Sequence, residues 1–127
     1  MTDTSRQPIT VFGIPFEEAF PDLEDAEVEW QKLDVEGLPV TGEVKRMHYK
    51  AGVFQGVIPC DNPSCHGGGF EIERVMDRMF QSRETERAGI LVCPGWEGGE
   101  KPCVGSISYR IKLVYKRVQR RGPVTNT

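Results

Sequence analysis

Toward the C-terminal end of the chain, apolar and polar residues alternate with a period of two. Ile107, Tyr109, Ile111, Leu113 and Tyr115 interleave with Ser106, Ser108, Arg110, Lys112, Val114 and Lys116. Successive side chains of a strand point to opposite faces, so this segment predicts a strand with an apolar core face and a largely basic, solvated face. A different period appears earlier. Ile72, Val75, Met76, Met79 and Phe80 sit at i, i+3, i+4, i+7 and i+8, the single apolar stripe of an amphipathic helix. Glu71 and Glu73 fall in its first turn and Arg83 and Arg87 near its end, as the helix dipole favours. Gly89 is the expected stop, followed by a brief strand, Ile90 to Val92, that ends at Cys93.

The remaining patterns are less distinct. Leu23, Ala26, Trp30 and Leu33 recur at helical spacing, although Val28-Glu29-Trp30 alternates; the expectation over 22–33 is a short helix. Ile9 to Phe16 is short, apolar and broken by Gly13 and Pro15, which suits an edge strand or an extended arm. Glu43–Tyr49 and Val53–Pro59 flank Lys50-Ala51-Gly52 and predict a hairpin. Residues 37–42 read as turn and loop. The polar ends, 1–8 and 122–127, are expected to be flexible. Together these elements predict an α+β fold: a small antiparallel sheet with one packed amphipathic helix. A chain of 127 residues has room for one core, and the expected domain runs from 9 to 121.

No apolar run approaches the ~18 residues of a membrane span, and the polar N-terminus does not read as a signal peptide. The expected compartment is cytoplasmic, without a membrane partner. In a reducing compartment cysteines mark metal or redox chemistry more often than disulfides. Net charge is only −3, but residues 17–36 hold nine acids against Lys32 alone, whereas residues 109–121 hold six bases and no acid. Such asymmetry means either two partners of opposite sign or two surfaces that complement each other within the fold.

The four cysteines carry the clearest chemistry. Cys60 and Cys65 enclose Asp61, Asn62, Pro63 and Ser64, turn formers that let the chain double back and aim both sulfurs inward. The spacing C-x₄-C is at the long end of the structural-zinc range. Nine residues separate Cys93 from Cys103, a glycine- and proline-rich loop that joins two predicted strands. A hairpin stem there would bring the two together. Four thiolates suit zinc and form a closed tetrahedral shell, which stabilises rather than catalyses. Buried free thiols and a disulfide or redox pair are the alternatives; no C-x-x-C is present to favour the redox one. His66, beside Cys65, is an alternative ligand in place of one of the distant cysteines, but the expectation is a polar surface residue or a donor to the ligands.

Strand, cysteine pair, helix, strand, cysteine pair, strand: over residues 53–118 this order resembles a zinc ribbon. It departs from one in the helix between the pairs and in the long second loop. The resemblance implies a zinc cofactor held by Cys60, Cys65, Cys93 and Cys103. It implies little about function, because zinc ribbons occur in nucleic-acid binders, enzyme subunits and adaptors.

Other constellations are weaker. His66-Gly67-Gly68-Gly69 matches the HGGG oxyanion motif of esterases, but no G-x-S-x-G nucleophile elbow accompanies it. The same glycines lack the Lys-Ser/Thr of a P-loop. No spacing places an acid or a nucleophile beside His48, so it reads as a structural or surface residue rather than a base. No catalytic role is expected and no small-molecule substrate is indicated. Two partner classes remain. One is a protein, met by the 94–102 loop with Trp96 as its aromatic anchor. The other is nucleic acid, met by Arg110, Lys112, Lys116 and Arg117, although pI 5.4 and the acidic first half oppose it.

Overall fold

The computed structural model describes residues 9–40 and 42–117. The expectations for 1–8 and 122–127, and for Arg120 and Arg121, lie outside them. The fold is α+β. Strand β1 (Thr10–Val11) pairs with β2 (Ile14–Pro15) around Phe12 and Gly13, both at positive φ. That is the geometry of a tight hairpin turn, so the short apolar segment is a two-stranded unit rather than one edge strand or arm. Helix α1 (Phe16–Ala19) follows. The main sheet is built from β3 (Leu23–Leu33), β4 (Lys45–His48), β5 (Glu86–Val92) and β6 (Ser106–Tyr115). It is antiparallel throughout, in the order β4-β3-β6-β5. Helix α2 (Ile72–Gln81) supplies the second layer. No helix among the described residues is long and apolar enough to cross a membrane.

The expected helix over 22–33 is wrong: the segment is β3, the longest strand. Its pairing with β6 shifts register between Leu23 and Asp25, so one extra residue is accommodated there. A bulge of this kind breaks the period of two and leaves Leu23 and Ala26, three apart, both buried. Beyond the bulge the strand period returns, with Ala26 and Val28 completely buried and facing Leu113 and Ile111 across the ladder.

The predicted hairpin over 43–59 forms only in part. Strand β4 ends at His48 and passes into a 3₁₀ turn, Tyr49–Ala51, closed by Gly52 at φ 81°. Val53 bridges back to His48, but no second strand follows; Ile58 instead bridges Phe70. Helix α2 also ends earlier than expected. The Glu84 N–H donates to Met79 C=O at 2.8 Å and Arg83 N–H to Phe80 C=O at 3.2 Å, the paired closing bonds of a Schellman motif. Arg83 holds its left-handed position, φ 58°, where glycine is usual. Its guanidinium lies 5.0 Å from the Tyr115 ring centroid and 2.7 Å from Asp22. Arg87 and Gly89 consequently belong to β5, not to the helix or its stop. Gly89 pairs with Tyr109, and a Cβ there would stand 2.9 Å from the Tyr109 hydroxyl, so the ring lies over the bare backbone.

The core lies between α2 and one face of the sheet. Ile72, Val75, Met76 and Met79 are buried in one cluster with Ile107, Ile111 and Leu113. Phe80 and Tyr109 are partly buried against it, and Phe80 stacks on Tyr115 with centroids 6.2 Å apart. Phe16 and Phe20 extend the cluster toward the N-terminal hairpin, Phe16 stacking on Tyr49 at 3.8 Å. On the opposite face of the sheet, acidic β3 lies directly beside basic β6. Glu27 is paired with Lys112 and Glu29 with Arg110, while Glu86 of β5 reaches Arg110 at 2.9 Å. The two charge runs complement each other across a ladder.

Candidate metal centre

The first two cysteines sit in a loop pinched at its base by the Ile58–Phe70 bridge. Within it Asn62 organises the turn. Its C=O accepts from Cys65 N–H at 3.0 Å and its Oδ1 from Ser64 N–H at 3.0 Å, the local bonding that makes asparagine a turn former. The second pair sits at the mouth of the β5–β6 hairpin, whose stem continues past the strands. Cys93 N–H donates to Gly105 C=O and Cys103 N–H to Gly95 C=O, each at 2.9 Å.

All four sulfurs converge. Cys60 Sγ lies 3.7 Å from Cys103 Sγ and Cys65 Sγ 3.6 Å from Cys93 Sγ, and all four stand within 4.8 Å of one another. A tetrahedral ion with sulfur ligands at about 2.3 Å separates those ligands by about 3.8 Å, so the donor set fits a metal ion. Amide donors surround it. Gly69 and Gly95 N–H donate to Cys93 Sγ at 3.3 and 3.4 Å, Gly105 N–H to Cys103 Sγ at 3.4 Å, and Asn62 Nδ2 to Cys103 Sγ at 3.3 Å. Such bonds stabilise thiolate over thiol. Cys93-Pro94-Gly95 and Cys103-Val104-Gly105 thus form two equivalent C-x-G turns. That repeat is visible in the sequence, although its spacing alone does not reveal the amide-to-sulfur bonds.

Glycine also makes the cluster sterically feasible. A Cβ on Gly68 would overlap the sulfurs of Cys93 and Cys65, and one on Gly95 would stand 2.5 Å from Cys65 Sγ. The His66-Gly67-Gly68-Gly69 run therefore wraps the sulfurs and admits the chain into α2; it has no esterase context.

The thiols do not share one acidity. Burial, then the neighbouring thiols, pushes Cys65 up to about 12, and burial raises Cys60. The Gly105 amide pulls Cys103 down to about 7. Four thiolates this close repel one another unless a cation lies among them; a metal ion deprotonates a coordinating thiol outright.

Among the described residues His66 is not part of the converging donor set. Its backbone pairs with Trp96, through N–H donation to Trp96 C=O at 2.8 Å and acceptance from Trp96 N–H at 3.0 Å. Trp96 is also bridged to Pro102, yet its side chain is half exposed, at 50%. Glu97 accepts from Asn62 Nδ2 at 2.7 Å, tying the 94–102 loop to the first cysteine turn. Arg110, Lys112, Lys116 and Arg117 are exposed on or just after β6, but Arg110 and Lys112 face the carboxylates described above.

His48 does have an acid beside it. Its Nε2 is 2.5 Å from Asp25 Oδ2 and 3.8 Å from Glu27 Oε2. Asp25 Oδ1 accepts from Ala26 N–H at 2.9 Å and Lys50 N–H at 3.0 Å. Burial opposes ionisation of Asp25, but the bonds from His48, Lys50 and Ala26 hold its carboxyl below the ordinary range. The group ties the 3₁₀ turn to β3. Linear spacing hides it because Asp25 and His48 meet only through the β3–β4 pairing.

No family model, curated protein or solved structure matches this chain.

Proposed function

We propose that Cys60, Cys65, Cys93 and Cys103 bind one zinc ion as the structural brace of a zinc-ribbon-like module, and that the braced 94–102 loop docks a protein partner. The sulfur geometry carries this reading. Four protein thiolates converging within 4.8 Å, two pairs of them at the tetrahedral separation, would fill the coordination shell and leave no open position for a substrate or activated water. Asn62 couples the two turns by contacting both Glu97 and Cys103, so ordering the metal site orders the loop. Half-exposed Trp96 on a backbone tied at both sides is the kind of rigid aromatic that anchors interfaces. Val35, Val40 and Val104 are exposed beside Glu97 and extend that surface with apolar area. The neutralising neighbours of Arg110 and Lys112 support a protein partner over nucleic acid.

Two measurements test the proposal. Elemental analysis of protein purified without chelator should give one zinc per chain. Crosslinking in cells followed by mass spectrometry should recover a partner that Trp96→Ala loses at least tenfold and that Arg110→Ala and Lys112→Ala retain. Tight nucleic-acid binding at physiological salt, lost on neutralising Arg110 and Lys112, would overturn the partner assignment.

A further inference from the structure

A cavity of about 380 Å³ opens between the core face of the sheet and the loop segment that leads into Cys60. Trp96 does not line it, although Cys60 does and Lys32, Asp61 and Gly105 are shared with the groove beside Glu97; its volume falls within the ~300–1,000 Å³ of small-molecule sites. Its formation follows from the fold. Ile58 and Phe70 bridge each other and line the cavity with Trp30, while helix α2 begins only at Ile72 and does not line it. The inner walls are Trp30, Ile58, Phe70 and Ile107; Ile58, Phe70 and Ile107 are buried core residues and Trp30 packs against them.

The charges at the mouth narrow the ligand. Lys32 is already paired with Asp61 at 2.7 Å. Lys45, the direct cross-strand partner of Trp30, lines the cavity and has no ion-pair partner among the described residues. An apolar slot with an aromatic wall and one available ammonium suits a flat organic body bearing a single anionic group. The lining carries two cations and two carboxylates, and with Lys32 held by Asp61 it offers one ammonium, enough for a single anionic group but too little positive charge for polyanions such as nucleotide phosphates. We propose that this cavity is a binding site for a small aromatic monocarboxylate, with its ring against Trp30 and Ile58 and its carboxylate on Lys45.

The test uses 2-naphthoate as probe and 2-naphthylmethanol as its uncharged counterpart, titrated into the zinc-loaded full chain. Amide and side-chain NMR shifts report the location. Naphthoate should perturb Trp30, Ile58 and Ile107 saturably and bind at least tenfold tighter than the alcohol. Lys45→Met, an exposed edge-strand change, should abolish that preference while leaving the spectrum folded. Gln55→Trp, at an exposed lining position, should block both probes. Absence of saturable shifts at millimolar probe, equal affinity for acid and alcohol, or shifts confined to the Trp96 loop would each overturn the assignment. Because zinc loading is verified independently, a negative result here leaves the metal and loop reading intact.

Discussion

Cys60 and Cys103 are separated by 43 positions in sequence, yet their sulfurs stand 3.7 Å apart, while Asn62 donates to Cys103 Sγ and accepts from Cys65 N–H. The two halves of the site are therefore one bonded unit. Metal removal should release them together.

The expected outcome of chelation is loss of ordered structure around 60–70 and 93–105, seen as a collapse of amide dispersion and a large drop in thermal midpoint. In small structural zinc domains metal binding supplies on the order of 10 kcal/mol of folding free energy. Cys103→Ser should bind substoichiometric zinc and behave like the stripped protein. A Cys103→Ser variant that still carries one equivalent and melts like wild type would remove Cys103 from the ligand set.

Core substitutions should separate two residues that share one helix stripe. Met76 is completely buried, so Met76→Ala should cost about 2–5 kcal/mol. Phe80 is only partly buried, and its Tyr115 contact is a stacked edge of the core. Phe80→Ala should therefore fall at or below the lower end of the ~3–5 kcal/mol seen for buried phenylalanine. Urea unfolding of both variants checks the order; a larger loss for Phe80→Ala would mean that the core is centred nearer the end of α2.

Helix α2, strand β6 and the cysteine set were legible because each obeys a local rule: a stripe, an alternation, a ligand spacing. Strand β3 was not, for reasons visible in its residues. The bulge between Leu23 and Asp25 sets Leu23 and Ala26 three apart on one face, which imitates a helical step. Trp30 and Leu33, also three apart, lie on opposite faces of the strand, and Leu33 is covered by the chain that returns through its bridge to Pro39. The complementarity of the acidic and basic runs was legible only as one of two options. The β3–β6 register, a long-range property, decides it. The Asp25–His48 contact and the cavity beside Trp30 depend on the same tertiary pairings and leave no local trace.

Asp25 should impose a pH dependence of definite sign. Its folded carboxyl is held below the unfolded value of about 3.9, so its contribution is present above that value. It is lost as pH falls through the lower folded value. Asp25→Asn should cost about 1–3 kcal/mol near neutrality, as expected when a buried hydrogen-bonded acceptor is weakened, and should show a shallower loss of stability below about pH 4. Acid release of the metal affects both proteins alike, so the difference between their denaturation curves isolates Asp25. Parallel curves through that range would show that the carboxyl is not ionised preferentially in the fold.

The glycines around the sulfurs offer a graded test of the site's shape. A methyl group on Gly68 would collide with two sulfurs at once, and one on Gly95 would press on Cys65 Sγ, the His66 carbonyl and Gly68 Cα. None of these neighbours is the free end of a flexible chain, so neither clash relaxes without moving a ligand. At Gly105 the nearest sulfur, that of Cys60, would be 3.2 Å away, a contact that a small shift relieves. Gly68→Ala and Gly95→Ala should therefore weaken zinc binding by orders of magnitude in chelator competition. Gly105→Ala should lower it only modestly, because its amide still donates to Cys103 Sγ. Equal affinities across the three variants would mean that the sulfurs do not hold these positions when metal is bound.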